Sequence, residues 1–189
     1  MENFLSYARK ETSEYGVGII LENSYYIKSG TLVMDGFFDG KNIVCATGKP
    51  SWLSTFVHEY SHFEQWIENY DDSHDFYYDE IDSWLQHDKE LPSKKVRKYI
   101  RYIRDVELDC EKRSSNNIIK FKLPIDIDEY IQKANAYLYS YLIIETKRVP
   151  WVNQTRIWKH MPKHFNNNYD ILPDIISRQE MLQIHRKEV

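Results

Sequence analysis

The sequence predicts an α+β fold, in which a small, largely antiparallel N-terminal sheet precedes a helical region. Short apolar runs separated by turn signals fill residues 16–47, and apolar residues recur at helical spacing after Pro50. The 189 residues, 42% of them hydrophobic, are enough for a buried core. We therefore expect one domain, with residues 1–50 mainly in strands, helices over 51–147 and a helical appendage at 148–189.

The strand predictions rest on two apolar runs. Val17 to Leu21 forms the first, and Asn42 to Thr47 forms the second, which ends at Gly48 and Pro50. Because closely spaced turns join neighbouring antiparallel strands, we expect a largely antiparallel sheet. Four dipeptides between the two runs are typical of turns: Asn23–Ser24, Ser29–Gly30, Asp35–Gly36 and Asp39–Gly40.

The helix predictions begin directly after the sheet. Ser51 is a candidate N-cap for an amphipathic helix over 52–69. An acidic, aromatic loop at 70–78 then leads to a short helix from about Asp79 to His87. Two longer helices are expected next, one from Pro92–Ser93 to about Asn116 and one capped by Asp126 or Asp128 and running to about Lys147. Two shorter helical pieces are expected at 153–160 and 172–186.

Charge and composition argue against several classes of protein. The net charge of −4 argues against nucleic-acid binding through bulk positive charge. Cys45 and Cys110 form no CxxC pair, which argues against a disulfide scaffold and fits a reducing compartment. The N-terminus lacks the pattern of a signal peptide, and the longest nearly apolar stretch, Tyr137 to Ile144, is too short to cross a bilayer. We expect a cytoplasmic protein without a membrane partner.

The helix over 52–69 carries an HExxH motif formed by His58, Glu59 and His62. Residues four apart share one face of a helix, so both imidazoles can bind one metal ion. Zinc accepts neutral imidazole nitrogens, and one zinc ion is the predicted cofactor. Glu59 can take a proton from a metal-bound water, which makes it the candidate catalytic base.

The apolar residues of this helix support the motif independently. They lie on one side, and His58, Glu59 and His62 fall on the other at about 100° per residue. The pattern predicts a helix with its back in the core and its front facing a cleft. The apolar residues are Leu53, Phe56, Val57, Tyr60, Phe63 and Ile67.

Two histidines leave a catalytic zinc ion one protein ligand short. The long helix from Ser93 contains RDVELDCEKRS at 104–114, where Glu107 and Glu111 are four apart and share one face. One of them can bind zinc while the other orients a ligand histidine. Asp105, Asp109 and a distant histidine are alternatives.

HExxH on one helix and Glu-x-x-x-acid on the next long helix resemble the gluzincin metallopeptidases. The segment ELDCE at 107–111 is similar to the ExEA(D/N) segment of the ImmA/IrrE-like peptidases, with Cys110 in place of alanine. This resemblance implies a zincin-like fold, Glu107 as the third zinc ligand and Glu111 as the acidic residue beside the ligand shell. The whole chain also resembles uncharacterised phage-encoded proteins of this kind, which would place it in the host cytoplasm.

Several other side chains are candidates for contact with a substrate. His160, His164 and Tyr141 can donate a hydrogen bond to a transition-state oxyanion or contact the substrate. The basic residues between Lys94 and Arg104 fall largely along one helix face, which is typical of a solvated surface. The alternative is contact with an acidic partner or nucleic acid through this face.

These observations together predict a zinc metallopeptidase that acts on a protein or peptide substrate. We expect the strand at 42–47 to be the sheet edge along which an extended peptide lies. The alternative is a catalytically silent zincin-like protein with a binding or regulatory role, contacting a protein or nucleic acid through its basic helix.

Overall fold

The computed structural model describes residues 2–30, 32–69, 74–148, 165 and 167–169. Helices and strands follow the predicted α+β arrangement, with a small antiparallel-rich set of strands near the N-terminus. The elements, in chain order, are α1 (Glu2–Glu14), β1 (Gly18–Glu22), β2 (Ile27–Ser29), β3 (Leu32–Met34), β4 (Gly36–Phe38), β5 (Asn42–Ala46), α2 (Trp52–Ile67), α3 (His74–Leu85), α4 (Ser93–Lys120) and α5 (Ile127–Lys147).

Strand β5 lies at the centre of a three-stranded sheet in the order β1-β5-β4. It pairs in parallel with β1, with Gly18 opposite Asn42, and antiparallel with β4, with Phe37 opposite Val44. The prediction that the strand at 42–47 is a sheet edge is therefore wrong. Four of the five β5 residues are buried, as expected for a strand paired on both sides.

Strands β2 and β3 form a separate antiparallel pair. The predicted turn at Asp39–Gly40 joins β4 to β5, and Gly40 has a φ of 80° that suits glycine. The Asp39 carboxylate accepts hydrogen bonds from the backbone N–H groups of Lys41 and Asn42, at 2.9 and 2.6 Å. The side chain of an aspartate thus stabilises this tight connection.

Helix α1 was not predicted, because the strand prediction covered the first 50 residues. Its buried residues Phe4, Ala8 and Thr12 are spaced by four and form a narrow stripe on an otherwise polar helix. The Phe4 ring lies 5.7 Å from Phe56 and 5.4 Å from Tyr60, between ring centroids. Helix α1 therefore packs against the apolar side of α2.

The predictions of α2, α4 and α5 are confirmed, and α4 continues one turn past Asn116. Ser51 precedes α2 as expected, although its side chain makes no capping hydrogen bond. Helix α3 begins at His74, so the loop predicted through residue 78 is wrong. Tyr77 and Tyr78 pack against the cluster around Ile81, so the first turns of α3 also have an apolar side.

The chain divides into two compact units. The first comprises Met1–Asp71 and Cys110–Ile125, and the second comprises Asp72–Asp109 and Asp126–Val189. The first contains the sheet, α1, α2 and the C-terminal part of α4; the prediction of one zincin-like domain stays a prediction. The second has an apolar core of Ile81, Trp84, Leu85, Val96, Tyr99, Ile100, Ile103, Tyr141 and Ile144.

The predicted helical pieces at 153–160 and 172–186 lie outside the described residues, as does nearly all of the appendage at 148–189. Among the helices that are described, none has an apolar stretch long enough to cross a membrane.

Replacing Asp126 with alanine should lower the free energy of unfolding by about 0.5–2 kcal/mol. Asp126 is the N-cap of α5, and its carboxylate accepts a hydrogen bond from the Glu129 backbone N–H at 3.0 Å. Urea denaturation measures the change, and Asp126→Asn is the control because asparagine caps equally well. Equal stability of Asp126→Ala and the wild type would show that this cap does not stabilise the helix.

Candidate metal centre

The imidazoles of His58 and His62 lie one turn apart on α2, and their Nε2 atoms are 3.2 Å from each other. The two rings are nearly perpendicular, at 89°, with centroids 4.7 Å apart. Two imidazole nitrogens on one tetrahedral zinc ion, at about 2.0–2.1 Å each, are separated by about 3.3 Å. The spacing of the two Nε2 atoms therefore fits zinc.

The other ring nitrogen of His62 contacts the side chain of Gln65. The His62 Nδ1 atom lies 2.9 Å from Gln65 Oε1, and an amide oxygen only accepts hydrogen bonds. Nδ1 therefore carries the proton and donates, which leaves a lone pair on Nε2. Such outer contacts hold a metal-binding imidazole in the required tautomer.

The other ring nitrogen of His58 faces a carboxylate. His58 Nδ1 lies 3.2 Å from Glu111 Oε1, so Nε2 of His58 also presents a lone pair when the ring is neutral. Burial by itself lowers the pKa of His58, but the neighbouring Cys110 and Glu111 outweigh burial and raise it. A protonated imidazole cannot bind a metal, so metal binding here displaces a proton.

The thiol of Cys110 completes a cluster of possible metal ligands. Its Sγ atom lies 3.6 Å from His58 Nδ1 and 3.3 Å from the His58 carbonyl oxygen. The three residues His58, His62 and Cys110 each offer one ligand atom, and these three atoms lie within 4.8 Å of one another. Because neutral imidazole and thiolate are ligands that zinc accepts, this donor set fits a zinc ion.

Polar contacts hold the C-terminal part of α4 against α2. The Ser114 hydroxyl donates to Ser61 Oγ at 3.0 Å, and both side chains are fully buried. The Asn117 amide donates to a Glu64 carboxylate oxygen at 2.9 Å. At the end of α2, the guanidinium of Arg113 bonds to Glu68 at 2.7 Å. The contacts of Ser114 and Asn117 fix the part of α4 that carries Cys110 and Glu111 opposite the two histidines, whereas the exposed Arg113–Glu68 pair adds little stability.

Glu59 lies beside His58 on α2 and is 9% exposed. Burial, together with the nearby charges of Glu59 and Asp35, raises the pKa of the Cys45 thiol. The predicted base is therefore a buried side chain of the helix that carries the histidines.

Glu107 is buried in the second compact unit and accepts a hydrogen bond from the Tyr78 hydroxyl at 2.8 Å. The Tyr78 hydroxyl is 3.2 Å from that of Tyr141, which lies 2.8 Å from the hydroxyl of Tyr137. Burial, the Glu107 charge and the neighbouring hydroxyls raise the pKa of Tyr78. The roles of Glu107 as a ligand and of Tyr141 as a substrate contact stay predictions.

The remaining candidates are exposed or outside the described residues. His160 and His164 belong to the part of the chain that is not described. The basic residues Lys94, Lys95, Arg97, Lys98 and Arg101 are exposed, as predicted for a solvated face. Arg97 pairs with Glu145 at 3.3 Å, and Arg104 pairs with Asp105 at 3.0 Å.

Sequence reasoning missed Gln65 and Cys110 as members of the site. Gln65 follows His62 by three residues, a spacing that places both on one helix face and was available as a signal. Cys110 is a fully buried residue of α4. Its contact with His58 depends on the pairing of two helices, which helical spacing alone does not specify.

No protein-family model, curated protein or solved structure matches this chain. The similarity to gluzincins and ImmA/IrrE-like peptidases stays a prediction.

Proposed function

We propose that this protein is a zinc-dependent metallopeptidase. The observation that carries the proposal is the pair of Nε2 atoms at 3.2 Å, each on a ring whose Nδ1 faces an oxygen acceptor. When both rings are neutral, the two Nε2 lone pairs face each other, and a bound cation removes their repulsion. Without a metal ion, a proton on His58, whose pKa is raised, can lie between the same two nitrogens. A zinc ion satisfies both nitrogens at once.

His58 and His62 would hold the metal, together with a third ligand from α4. A bound zinc ion supplies Lewis acidity, which polarises a carbonyl and lowers the pKa of water. Glu59 follows His58 directly and is the candidate base that removes the proton from the attacking water. The same carboxyl group can then deliver that proton to the departing amine.

The edge of the sheet supports a peptide as the substrate. Among the described residues, β4 pairs only with β5, so its other edge can pair with an extended peptide. A Cβ on Gly36 would lie 2.8 Å from Thr55 Cγ2, which shows how closely β4 packs against α2. A peptide added to β4 would lie beside the helix that carries the HExxH motif. This proposal moves the peptide from β5 to β4.

A catalytically silent zinc protein is the second candidate. The buried Cys110 favours it, because cysteine and histidine together are common in closed structural zinc sites, where no position is left for water. In that case zinc would bind and stabilise the first compact unit, and no peptide would be cleaved.

Removal of zinc should abolish peptide hydrolysis, and zinc addition should restore it. Hydrolysis of a mixed fluorogenic peptide library would be measured before and after dialysis against a chelator, and again after zinc is added back. The control is magnesium add-back, because magnesium prefers oxygen ligands and should restore no activity. Unchanged activity in the chelated, metal-free chain would contradict the proposal, and zinc binding without any cleavage would support the silent alternative.

A further inference from the structure

We propose that Cys110 supplies the third protein ligand as a thiolate, so that the metal centre is a two-histidine, one-cysteine site. This inference rests on the proposed zinc binding. It puts Cys110 in the place of Glu107, which the gluzincin resemblance implies as the third ligand beside His58 and His62. The third ligand atom would then be sulfur and not oxygen, and the type of ligand atom influences which metal ions a site prefers.

The first support is the position of the sulfur atom. Cys110 Sγ lies beside the His58 ring, in the cluster whose donor atoms are within 4.8 Å of one another. On a tetrahedral zinc ion, with Zn–N about 2.0–2.1 Å and Zn–S about 2.3 Å, nitrogen and sulfur are about 3.6 Å apart. Coordination would require a rotation about the Cys110 Cα–Cβ bond that turns the sulfur from the Nδ1 side of the His58 ring toward its Nε2 side.

The second support is that two neighbouring residues of α4, Cys110 and Glu111, both contact His58. The Glu111 carboxylate faces His58 Nδ1, a contact that orients the ring rather than binding the metal. Cys110 is the preceding residue, and its thiol reaches the His58 carbonyl oxygen at 3.3 Å. On metal binding the thiol would release its proton to solvent, leave the carbonyl oxygen and bond to zinc through sulfur.

The third support is burial. Cys110 is fully buried in contact with His58, whereas a cysteine that serves only to fill the core needs no polar neighbour. A thiolate is a soft ligand, so the site should prefer zinc, cobalt or cadmium over magnesium or manganese.

Cobalt substitution tests the inference without relying on activity. The full chain would be loaded with cobalt(II) in place of zinc, and its absorption spectrum recorded. A thiolate ligand gives an intense near-ultraviolet sulfur-to-cobalt charge-transfer band, which we expect in the wild type and not in Cys110→Ser. Cys45→Ser is the matched control, because Cys45 is also fully buried in the first unit but lies outside the cluster. That variant should keep the band, and so should Glu107→Gln.

The outcomes separate the two proposals. A wild-type chain that binds neither zinc nor cobalt defeats the proposed function and this inference together. A chain that binds cobalt without the charge-transfer band, or with a band that persists in Cys110→Ser, overturns the inference and leaves zinc binding standing. Circular dichroism establishes whether Cys110→Ser folds. If it does not, cadmium-113 NMR of the unaltered chain decides, because sulfur coordination shifts the cadmium resonance strongly to high frequency and its absence overturns the inference.

Discussion

Replacing Glu59 with glutamine is expected to reduce kcat/KM for peptide hydrolysis by about 100-fold to 10,000-fold while zinc stays bound. Glutamine has nearly the shape of glutamate, so the packing of this buried position is preserved. It cannot accept a proton at neutral pH, and the attacking water therefore loses its base. The rate is measured with the fluorogenic peptides that the wild type cleaves, and zinc is counted by plasma mass spectrometry in the same sample.

Glu68→Gln is the matched control for this variant. Glu68 ends the same helix, is largely exposed and pairs with Arg113, which lowers its pKa through a hydrogen bond. Its substitution removes the same charge from the same helix away from the motif, so the rate should stay at the wild-type level. A Glu59→Gln variant that hydrolyses peptides normally, or that no longer binds zinc, would disprove the role of Glu59 as the base.

Replacing His62 with alanine should weaken zinc binding by more than about 100-fold. Loss of a residue that only contacts a metal ligand lowers the affinity by at most about that factor, and loss of the ligand itself should cost more. The substitution removes one of the two Nε2 donors and leaves zinc one protein ligand fewer. The loss is measured by competition with a zinc indicator dye. Zinc should also raise the melting temperature of the wild type but not of His62→Ala, because a ligand stabilises only the state that binds it.

Two further variants are expected to have a smaller effect on zinc affinity than His62→Ala, or none. Gln65→Ala removes the hydrogen-bond acceptor at His62 Nδ1 and keeps the ligand, so zinc affinity should fall by about 10-fold to 100-fold. His87→Ala changes an exposed histidine of the second unit and should leave zinc affinity unchanged. Equal zinc affinity of His62→Ala and the wild type would place the metal elsewhere in the chain.

Much of the helical structure could be predicted because its signals are local. The apolar residues of α2 repeat at helical spacing, and the same repeat places His58 and His62 on one face. Asp126 marks the start of α5 through its capping side chain, and Pro92 precedes α4. Each of these signals involves residues within a few positions of one another, so one sequence is sufficient to find them.

The order of the strands could not be predicted in the same way. Strand β1 pairs with β5 across more than twenty residues, in parallel, after a separate hairpin and β4 have intervened. Turn signals indicate where strands end but not which strand returns beside which. The nearly continuous apolar run at Ile43–Ala46 was a signal for a central strand, although it was interpreted as an edge.

The candidate site shows the same division. The HExxH motif is local and was found from sequence, whereas the contacts of Cys110 and Glu111 with His58 join residues more than fifty positions apart. Their geometry depends on how α4 packs against α2, which the buried pair of Ser61 and Ser114 helps to fix. A resemblance can suggest which acidic residue lies near the metal, but the position of a donor atom requires the packed helices.

Zinc K-edge X-ray absorption of the zinc-loaded chain tests most directly whether His58 and His62 share a metal ion. We expect one zinc ion per chain in a four-coordinate shell, with the scattering pattern of two imidazole rings at about 2.0–2.1 Å. Zinc surrounded only by oxygen, or a chain that retains no zinc, would contradict the claim that His58 and His62 share a metal ion.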